Sequence, residues 1–396
     1  MALTIHPLRR VLPLALGGLF LVVLVQSLMN PIPAGAATKG KYLVYVGTYT
    51  EHGGKGIYAY NMDARTGQVT AVGLAAETAN PSFFAVDASG HFLYAVNEIE
   101  NYQGQAAGGV SAFAIDQTSG KLSLLNDVSS RDGGPAHITL DQTGKFVLVS
   151  NYTRGSVAVL PVLKDGKLGQ SSAFVQHHGS SVNKERQEGP HAHAIAMSPD
   201  NRFALVADLG LDQVLAYPFD AAKGTLGQDP SIARAAPGSG PRHLVFSPNG
   251  KLLYVINELT STVTTYAYDS ANGGLRELNT LSTLPDGFSG QSTAAEIAID
   301  PGGKHLCASN RGYDSIAVFS IAPGTGALSR VEIVPVGGKT PRSFAIDPTG
   351  NWLLVGNQDS NNLVVFRVNH KTGRLTPTGQ VLQVPSPAFV KFVPLS

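Results

Sequence analysis

The chain has 396 residues, of which 43% are hydrophobic and 14% are charged, and 29 basic against 28 acidic side chains leave a formal net charge of +1. This composition excludes a disordered chain, which would combine low hydrophobicity with high net charge. It also argues against a nucleic-acid-binding protein, which needs a basic face for the phosphates. The single cysteine, Cys307, rules out an intrachain disulfide and lies in an apolar run, so we expect a core residue rather than a nucleophile.

The first 36 residues have the layout of a secretory signal peptide. Arg9 and Arg10 precede an uncharged apolar run at 11–29, which is followed by two prolines and the small residues 34–37. A positive region, an apolar region and an A-x-A site in this order are typical of a cleaved signal. The sequence therefore predicts a mature chain of residues 37–396 in the periplasm or outside the cell. The alternative is an uncleaved anchor, because 19 apolar residues are just enough to span a bilayer.

One sequence motif repeats along the rest of the chain. It consists of an apolar strand, a turn of the Asp/Ser-Pro-x-Gly type, a second apolar strand and a closing polar residue. The closing residues recur every 47 to 57 positions, at Thr48, Asn97, Asn151, Asp208, Asn257, Asn310 and Asn357. A period near fifty in strand-rich units is typical of a β-propeller, and no segment shows sustained helical periodicity. Seven such units account for residues 37–396.

Each unit also contains two further strands. Segments such as 109–116 and 362–368 alternate as half-buried strands do, and glycine turns such as Thr372-Gly373 follow them. Glycine supplies the positive φ that a tight hairpin needs, so each unit is predicted to be a four-stranded antiparallel blade, with strands a to d from the centre outward.

The two ends of the chain complement each other. Residues 389–394 resemble a strand a with nothing after it, and residues 42–49 resemble a strand b with nothing before it. Pairing them in one blade removes two exposed sheet edges. The predicted fold class is therefore all-β, a single seven-bladed β-propeller domain over 37–396, closed by the N-terminal and C-terminal strands.

Polar residues concentrate where strand a begins and strand b ends, two positions on the same face of an antiparallel pair. Because the innermost strands line the central channel, these positions ring one of its ends, where ligand pockets occur in such folds. The candidates are His137, His191, His193, Arg242, His243, Glu258, Glu296, Arg311, Arg342 and Gln358. Burying a charge without a partner is costly, so they indicate either a ligand site or an ion-pair network that holds the blades together.

Other polar residues have simpler interpretations. Asn97 and Asn151 are expected to cap turns through bonds from the side chain to the backbone. His177 and His178 lie in a polar segment flanked by Gly and Ser, and we expect them to be solvated.

A metal site is a weaker alternative. His191 and His193 have the i, i+2 spacing of a metal pair, to which Glu185, Glu188 or Asp208 could add a carboxylate. However, the sequence has no H-E-x-x-H motif and no cysteine ligand set. It also has no glycine fingerprint for a nucleotide and no G-x-S-x-G elbow of a serine hydrolase. We therefore expect neither a metal nor a cofactor.

The motifs at these positions resemble those of the seven-bladed propeller lactonases, the family that includes propeller-type 6-phosphogluconolactonase and carboxymuconate cyclase. The resemblance covers nearly all of the chain after the signal. It rests on Val46-Gly47-Thr48-Tyr49, Pro190-His191, Gly240-Pro241-Arg242-His243, Asn257-Glu258-Leu259, Ala295-Glu296-Ile297, Asn310-Arg311-Gly312, Pro341-Arg342 and Gln358. The export signal departs from the family, because a phosphorylated sugar lactone is a cytosolic metabolite.

The resemblance implies a metal-independent lactonase acting on a small anionic lactone that is sugar-derived or carboxylated, with no nucleic-acid partner and, after signal cleavage, no membrane. A His or Glu would activate water, while arginines would hold the anion and stabilise the oxyanion. We assign catalysis to His191, Arg242, His243, Glu258, Glu296 and Arg311, and substrate binding to His137, His193, Arg342 and Gln358. The alternative is a non-catalytic propeller that binds a ligand or a protein in the periplasm, since propellers host both functions.

Overall fold

The computed structural model describes residues 1–3 and 40–395, and residues 40–395 form seven antiparallel sheets. The predicted all-β seven-bladed β-propeller is confirmed. Apart from its first three residues, the predicted signal peptide lies outside the described residues. Within the described part of the chain, no helix has the length and apolar character needed to cross a bilayer.

The blades are built from 29 strands and one 3-10 turn at Thr50–His52. In chain order the strands are β1 (Lys41–Thr48), β2 (Gly56–Asp63), β3 (Gln68–Glu77), β4 (Phe84–Val86), β5 (Phe92–Asn97), β6 (Gly109–Ile115), β7 (Leu122–Ser129), β8 (Pro135–Leu140), β9 (Phe146–Asn151), β10 (Ser156–Pro161), β11 (Ala173–Gln176), β12 (Ala192–Met197), β13 (Phe203–Asp208), β14 (Gln213–Asp220), β15 (Thr225–Leu226), β16 (Ser231–Arg234), β17 (Pro241–Phe246), β18 (Leu252–Asn257), β19 (Thr262–Asp269), β20 (Gly274–Ser282), β21 (Thr293–Ile299), β22 (His305–Arg311), β23 (Ser315–Ile321), β24 (Leu328–Pro335), β25 (Pro341–Ile346), β26 (Trp352–Asn357), β27 (Asn362–Val368), β28 (Leu375–Gln383) and β29 (Pro387–Pro394).

From the channel outward, blade 1 contains β29, β1, β2 and β3. Blades 2 and 3 contain β4 to β7 and β8 to β11. Blade 4 contains β12 to β14 and an outer edge divided between β15 and β16, which both pair with β14. Blades 5, 6 and 7 contain β17 to β20, β21 to β24 and β25 to β28.

The ring closes through blade 1, as the sequence predicts. β29 pairs with β1 in antiparallel register, with Phe392 opposite Val44. On one side of this sheet Val390 and Phe392 pack into the hydrophobic core shared with blade 7, and on the other side Phe389 and Val393 pack into the core shared with blade 2. Burying each such side chain contributes roughly 1.5–3 kcal/mol, so the C-terminal strand stabilises both neighbouring interfaces.

Local turn chemistry explains the repeated Asp/Ser-x-x-Gly phrase between strands a and b. In blade 3 the Oδ1 atom of Asp141 accepts hydrogen bonds from the backbone N–H groups of Lys145 at 2.8 Å and Phe146 at 2.9 Å. Asp300 binds the N–H groups of Lys304 and His305 in the same way in blade 6. The acidic side chain thus satisfies the backbone donors that the turn leaves unpaired.

Candidate functional site

A β-bulge interrupts the pairing of strands a and b at the start of the inner strand in blades 3 to 7. In blade 4 the bulge leaves His193 out of the pairing, in blade 5 it leaves out Arg242, and in blade 7 it leaves out Arg342. A bulge re-aims the side chain of its extra residue. In each of these three blades a polar side chain is therefore taken out of the strand alternation at the same end of the channel, which we call the mouth.

Glu258, directly after β18, is the centre of the polar cluster at the mouth. Its Oε2 atom accepts a hydrogen bond from Nε of Arg242 at 3.0 Å and lies 3.0 Å from Nη2 of Arg311. Its Oε1 atom accepts a hydrogen bond from Nη2 of Arg186 at 2.7 Å. Burial by itself would raise the pKa of Glu258, but the three guanidinium groups outweigh burial and lower the pKa to about 2. The carboxylate is therefore ionised at neutral pH.

A second layer of side chains lies next to this cluster, deeper in the channel. Nη1 of Arg242 lies 3.1 Å from Nε2 of His243, and Nδ1 of His243 lies 3.0 Å from Oε1 of Glu296. Because a guanidinium group only donates, Nε2 of His243 accepts the hydrogen bond from Arg242. Nδ1 therefore carries the ring proton and donates a hydrogen bond to Oε1 of Glu296. Burial raises the pKa of Glu296 to about 7, although the positive charge of Arg242 opposes the shift. Glu258, Arg242, His243 and Glu296 thus form one continuous chain of hydrogen bonds.

Aromatic rings pack across the channel in this second layer. The ring centre of Phe83 lies 3.7 Å from that of Phe389 and 3.9 Å from that of His137, which is 5.4 Å from that of His243. Burial, reinforced by neighbouring positive charges, lowers the pKa of both His137 and His243 well below its usual value, so both imidazoles are neutral at pH 7. We call Phe83, His137, His243, Glu296 and Phe389 the waist.

Tyr152, directly after β9, contacts two histidines at the mouth. Its ring is nearly parallel to that of His191, 4.6 Å away, and stands edge-on to that of His193, 5.4 Å away. Nδ1 of His191 donates to the carbonyl oxygen of Tyr152 at 2.9 Å, and Nε2 lies 3.2 Å from Oε1 of Glu188. The hydrogen bond to the carbonyl therefore fixes the orientation of the His191 ring.

His193 has a different environment. Burial, then the positive charges of Arg242 and the other cationic neighbours, lowers its pKa well below the usual value. Its Nε2 atom lies 4.0 Å from Oε2 of Glu258. Its Nδ1 atom is buried without a hydrogen-bond partner among the described residues. A neutral imidazole with an unengaged nitrogen thus lies beside the carboxylate that holds three arginines.

Arg342 differs from the other arginines of the mouth. Its guanidinium group lies 5.0 Å from the ring centre of Tyr49, whose hydroxyl donates a hydrogen bond to Oε2 of Glu98 at 2.8 Å. Within residues 40–395, no carboxylate oxygen lies within 4.0 Å of the Arg342 guanidinium, whereas the other three arginines share Glu258. Cationic groups therefore outnumber carboxylates at this end of the channel.

The ten candidates from the sequence fall into three groups. Six lie at the mouth, namely His191, His193, Arg242, Glu258, Arg311 and Arg342, and three lie in the waist, namely His137, His243 and Glu296. Gln358 follows β26, and its Oε1 atom is buried without a partner in the described part of the chain. None of the described hydrogen bonds connects the Gln358 side chain to the other nine residues.

The prediction that His177 is solvated is wrong. The residue is only 4% exposed, its Nδ1 atom lies 2.6 Å from Oδ2 of Asp208, and its ring stacks on Tyr217. The backbone N–H of His177 bonds to the carbonyl of Gly155 in blade 3, whereas Asp208 and Tyr217 belong to blade 4, so the residue is held between the two blades. His178 is exposed, as expected.

Asn97 and Asn151 have the predicted capping role. Nδ2 of Asn97 donates to the carbonyl of Ala79 at 2.7 Å, and Nδ2 of Asn151 donates to the carbonyl of Ser130 at 3.1 Å. Each amide therefore ties the end of strand b to the segment that enters its own blade.

The metal-pair alternative finds no support in residues 40–395, where no three His, Cys, Asp or Glu side chains form a group that could hold a metal ion. Asp208, one of the proposed ligands, instead binds His177 and the backbone N–H of His191.

Sequence reasoning did not select Arg186, Tyr152 or Tyr49 as candidate site residues. Arg186 lies inside the loop between β11 and β12, outside the strand-end positions from which the candidates were selected, so no positional signal marks it. Tyr152 and Tyr49 each directly follow a strand b, the position that singled out Glu258, and the same rule could have found them.

Seven blades around a central channel define this protein as a β-propeller, and its cationic mouth is the candidate site. Residues 43–392 match the sequence profile of the family described as "Lactonase, 7-bladed beta-propeller", and the chain belongs to that family. It is 38% identical over 353 residues to a 6-phosphogluconolactonase of Bacillus subtilis, in a match that covers 89% of this chain and 99% of the relative.

Two further similar proteins are also lactonases. A 6-phosphogluconolactonase of Formosa agariphila is 38% identical over 308 residues, which cover 76% of this chain and 85% of that protein. The solved structure of a periplasmic gluconolactonase from Pseudomonas aeruginosa matches 90% of this chain and 100% of its own, with a TM-score of 0.85 and 35% identity. The prediction that this chain is a lactonase is confirmed.

Proposed function

We propose that the protein hydrolyses a small sugar-derived or carboxylated lactone that bears an anionic group, and that the reaction takes place at the mouth of the channel. The observation that carries this proposal is the gathering of four arginines at the mouth with one shared carboxylate. Arg186, Arg242 and Arg311 bind Glu258, and Arg342 lies against the Tyr49 ring. A surplus of guanidinium groups in a partly desolvated site attracts carboxylate or phosphate, which arginine binds in a bidentate fashion.

Arg342 and Arg311 are the residues that hold the anion in this proposal. Arg342 has no carboxylate partner in the described part of the chain, and its guanidinium group is supported from one side by the Tyr49 ring. Nε of Arg311 is buried without a hydrogen-bond partner among residues 40–395. Buried polar atoms are nearly always paired in folded proteins, so an unpaired donor in a cationic site supports an anionic ligand there.

His193 is the general base in this proposal. The alternatives are less suitable, because both nitrogens of His243 are engaged and Glu258, with its pKa lowered to about 2, is a weak base. The positive charges of Arg242, Arg311 and Arg342 help to hold the pKa of His193 down. An anion bound beside these arginines would offset their positive charge and raise the pKa of His193. Binding of the substrate would therefore make His193 a stronger base.

Arg242 is positioned to stabilise the oxyanion. Its Nε atom is fixed on Glu258, and its Nη1 atom donates to the carbonyl of Ala295 at 2.7 Å. His193 would take a proton from water while the oxygen of that water adds to the lactone carbonyl, and Arg242 would stabilise the tetrahedral oxyanion. Collapse would break the ring C–O bond, and the proton on His193 would pass to the departing ring oxygen, which leaves an open-chain hydroxy acid.

A panel of phosphorylated, carboxylated and neutral lactones tests the proposal, with a pH indicator to follow the acid released. Arg342→Lys removes the bidentate fork but keeps the charge, so KM for anionic lactones should rise about 10-fold to 100-fold, with little change for a neutral lactone. Arg330→Lys is the matched control, because Arg330 pairs with the exposed Asp286. If the protein opens no lactone in the panel faster than buffer does, or opens neutral lactones best, the proposal is wrong.

We also infer that the protein is exported and that its mature form is a single propeller domain of residues 37–396. The support is the layout of charged, apolar and small residues at 9–37. Intact-mass measurement on protein purified from its native cells should find a chain that begins at or next to Ala37. A mass that retains Met1 would favour the anchored form. Export would restrict the substrate to lactones that occur outside the cytoplasm.

A further inference from the structure

On the side of the waist away from the mouth, the channel contains a cavity of about 400 Å³, which we call the basal cavity. The five waist residues form one end of it. Its side walls are largely apolar and include Val245, Ile299, Phe344 and Ile346. Among the described residues that line it, none is one of the six candidates at the mouth. The basal cavity is therefore a compartment separate from the proposed lactone site.

Lys391 is the only lysine or arginine among the described residues that line the basal cavity. It lies on the innermost strand β29, between Val390 and Phe392, which are buried in the core shared with blade 7. Side chains alternate along a strand, so Lys391 lies on the same side of β29 as Phe389 and Val393, which is the side next to blade 2. The lysine side chain is exposed to solvent.

The ammonium group of Lys391 has no charge partner in the described chain, since no carboxylate oxygen of residues 40–395 lies within 4.0 Å of it. The carboxyl group among the lining residues, Glu296, is already bound by His243, the backbone N–H of Ile297 and Ser343. The protein atoms around the channel desolvate the ammonium group and lower the pKa of Lys391, against the attraction of Glu296, although the residue keeps contact with solvent in the cavity. A second negative charge in the cavity would therefore be stabilising.

A larger cavity of about 750 Å³ connects the same region to the space between blades 2 and 3. It shares Phe83, His137, Phe389 and Lys391 with the basal cavity. The inner strand of blade 2, β4, has only three residues, whereas the other inner strands have six to eight. The short strand leaves this interface less completely filled and gives a ligand a route to Lys391.

We propose that the basal cavity is a second binding site, for a monocarboxylate with an apolar body, such as an aromatic carboxylate. The carboxylate would pair with Lys391, and the apolar body would lie against Phe344 and Phe389. One ammonium group matches one negative charge, in contrast to the four guanidinium groups at the mouth. Apolar walls disfavour a polyhydroxylated sugar acid, and the volume lies within the roughly 300–1,000 Å³ range of small-molecule pockets.

Calorimetric titration of the propeller with benzoate and with benzamide tests this site, because the two probes share a shape and differ in charge. We expect benzoate to bind at least tenfold more tightly than benzamide to the unaltered protein. In Lys391→Met, which keeps an unbranched side chain but removes the charge, the two probes should bind with equal affinity. Lys391→Arg should keep the preference for benzoate, and Ala345→Phe, which fills the cavity, should abolish binding of both probes.

Controls separate this site from the mouth. Arg342→Met should leave the affinity for benzoate unchanged, and Lys391→Met should keep lactone turnover and the unfolding midpoint. The proposal is overturned if benzoate and benzamide bind equally to the unaltered protein, or if neither binds. It is also overturned if Lys391→Met leaves the preference for benzoate intact, or if Arg342→Met removes it, since the carboxylate would then bind at the mouth.

Discussion

Two buried glutamates lie in adjacent layers of the same channel and titrate in opposite directions. Glu258 at the mouth is 4% exposed and Glu296 in the waist is 8% exposed. The pKa of Glu258 is nevertheless lowered to about 2, and that of Glu296 is raised to about 7. Burial raises the pKa of both groups, so the partners decide the difference. Glu258 binds three guanidinium groups, whereas Glu296 accepts hydrogen bonds from a neutral imidazole, a backbone N–H and a hydroxyl.

The channel therefore separates fixed charge from exchangeable protons. The mouth holds a permanent carboxylate that positions cations, and the waist holds a carboxyl group that gains or loses a proton near neutral pH. Arg242 joins the two layers, since its Nε atom binds Glu258 and its Nη1 atom binds His243. Groups whose environments push their pKa values apart are typical of sites that move protons.

The largest effect is expected when the fixed charge is removed. In Glu258→Gln three guanidinium groups lose their common counter-charge, and breaking a buried ion pair costs about 3–5 kcal/mol. We expect the free energy of unfolding in urea to fall by that amount and lactone turnover to fall by more than ~10³-fold, because the arginines lose their positions. Glu277→Gln is the control, since Glu277 is exposed on the outer strand β20, away from the mouth. An unchanged urea midpoint in Glu258→Gln would show that the mouth does not depend on this carboxylate.

A second pair of variants distinguishes a general base at the mouth, His193, from one in the waist, His243. His193→Gln should lower kcat by ~10²–10⁴-fold, the usual contribution of general-base catalysis, with KM and the urea midpoint little changed. His243→Gln should affect stability more than turnover, because both nitrogens of His243 are engaged in hydrogen bonds. We expect it to cost about 1–3 kcal/mol of stability and roughly tenfold in turnover. The opposite pattern in kcat and stability would move the base from the mouth to the waist.

The blades and the location of the mouth could be predicted from the sequence because both depend on local chemistry and topology. The Asp141 turn recurs as a short phrase, and antiparallel pairing puts the start of strand a beside the end of strand b. Arg186 could not be predicted in the same way, because its loop reaches Glu258 across 72 residues of sequence. His177 was misplaced for a similar reason, since its partner Asp208 lies in the next blade.

The division into two layers could not be predicted either. Arg242 and His243 are neighbours in the sequence, yet one reaches the carboxylate of the mouth and the other the carboxyl group of the waist. The bulge between Pro241 and His243 separates them by leaving Arg242 out of the pairing. A proline stands at the start of the bulge in blades 3, 5 and 7, but the proline does not show which layer each of the next two side chains reaches.

The smallest effect is a change in the pH dependence of stability. The pKa of Glu296 rises from 4.5 in the unfolded chain to about 7 in the fold, so between these values the native state keeps a proton that the unfolded state has lost. Its contribution to stability is fully present below pH 4.5 and is lost as pH rises through 7, a total of about 3 kcal/mol. Glu296→Gln removes this pH dependence, so the free energy of unfolding of the variant should rise by about that much relative to the unaltered protein between pH 5 and pH 8.

The other glutamate does not interfere in this range. Glu258, with its pKa lowered to about 2, loses its contribution to stability only as the pH falls below about 4.5. Urea unfolding at the two pH values measures the difference, with the exposed Glu277→Gln as control. A gap between variant and unaltered protein that stays constant with pH would mean that Glu296 is ionised throughout, and the two glutamates would then be alike.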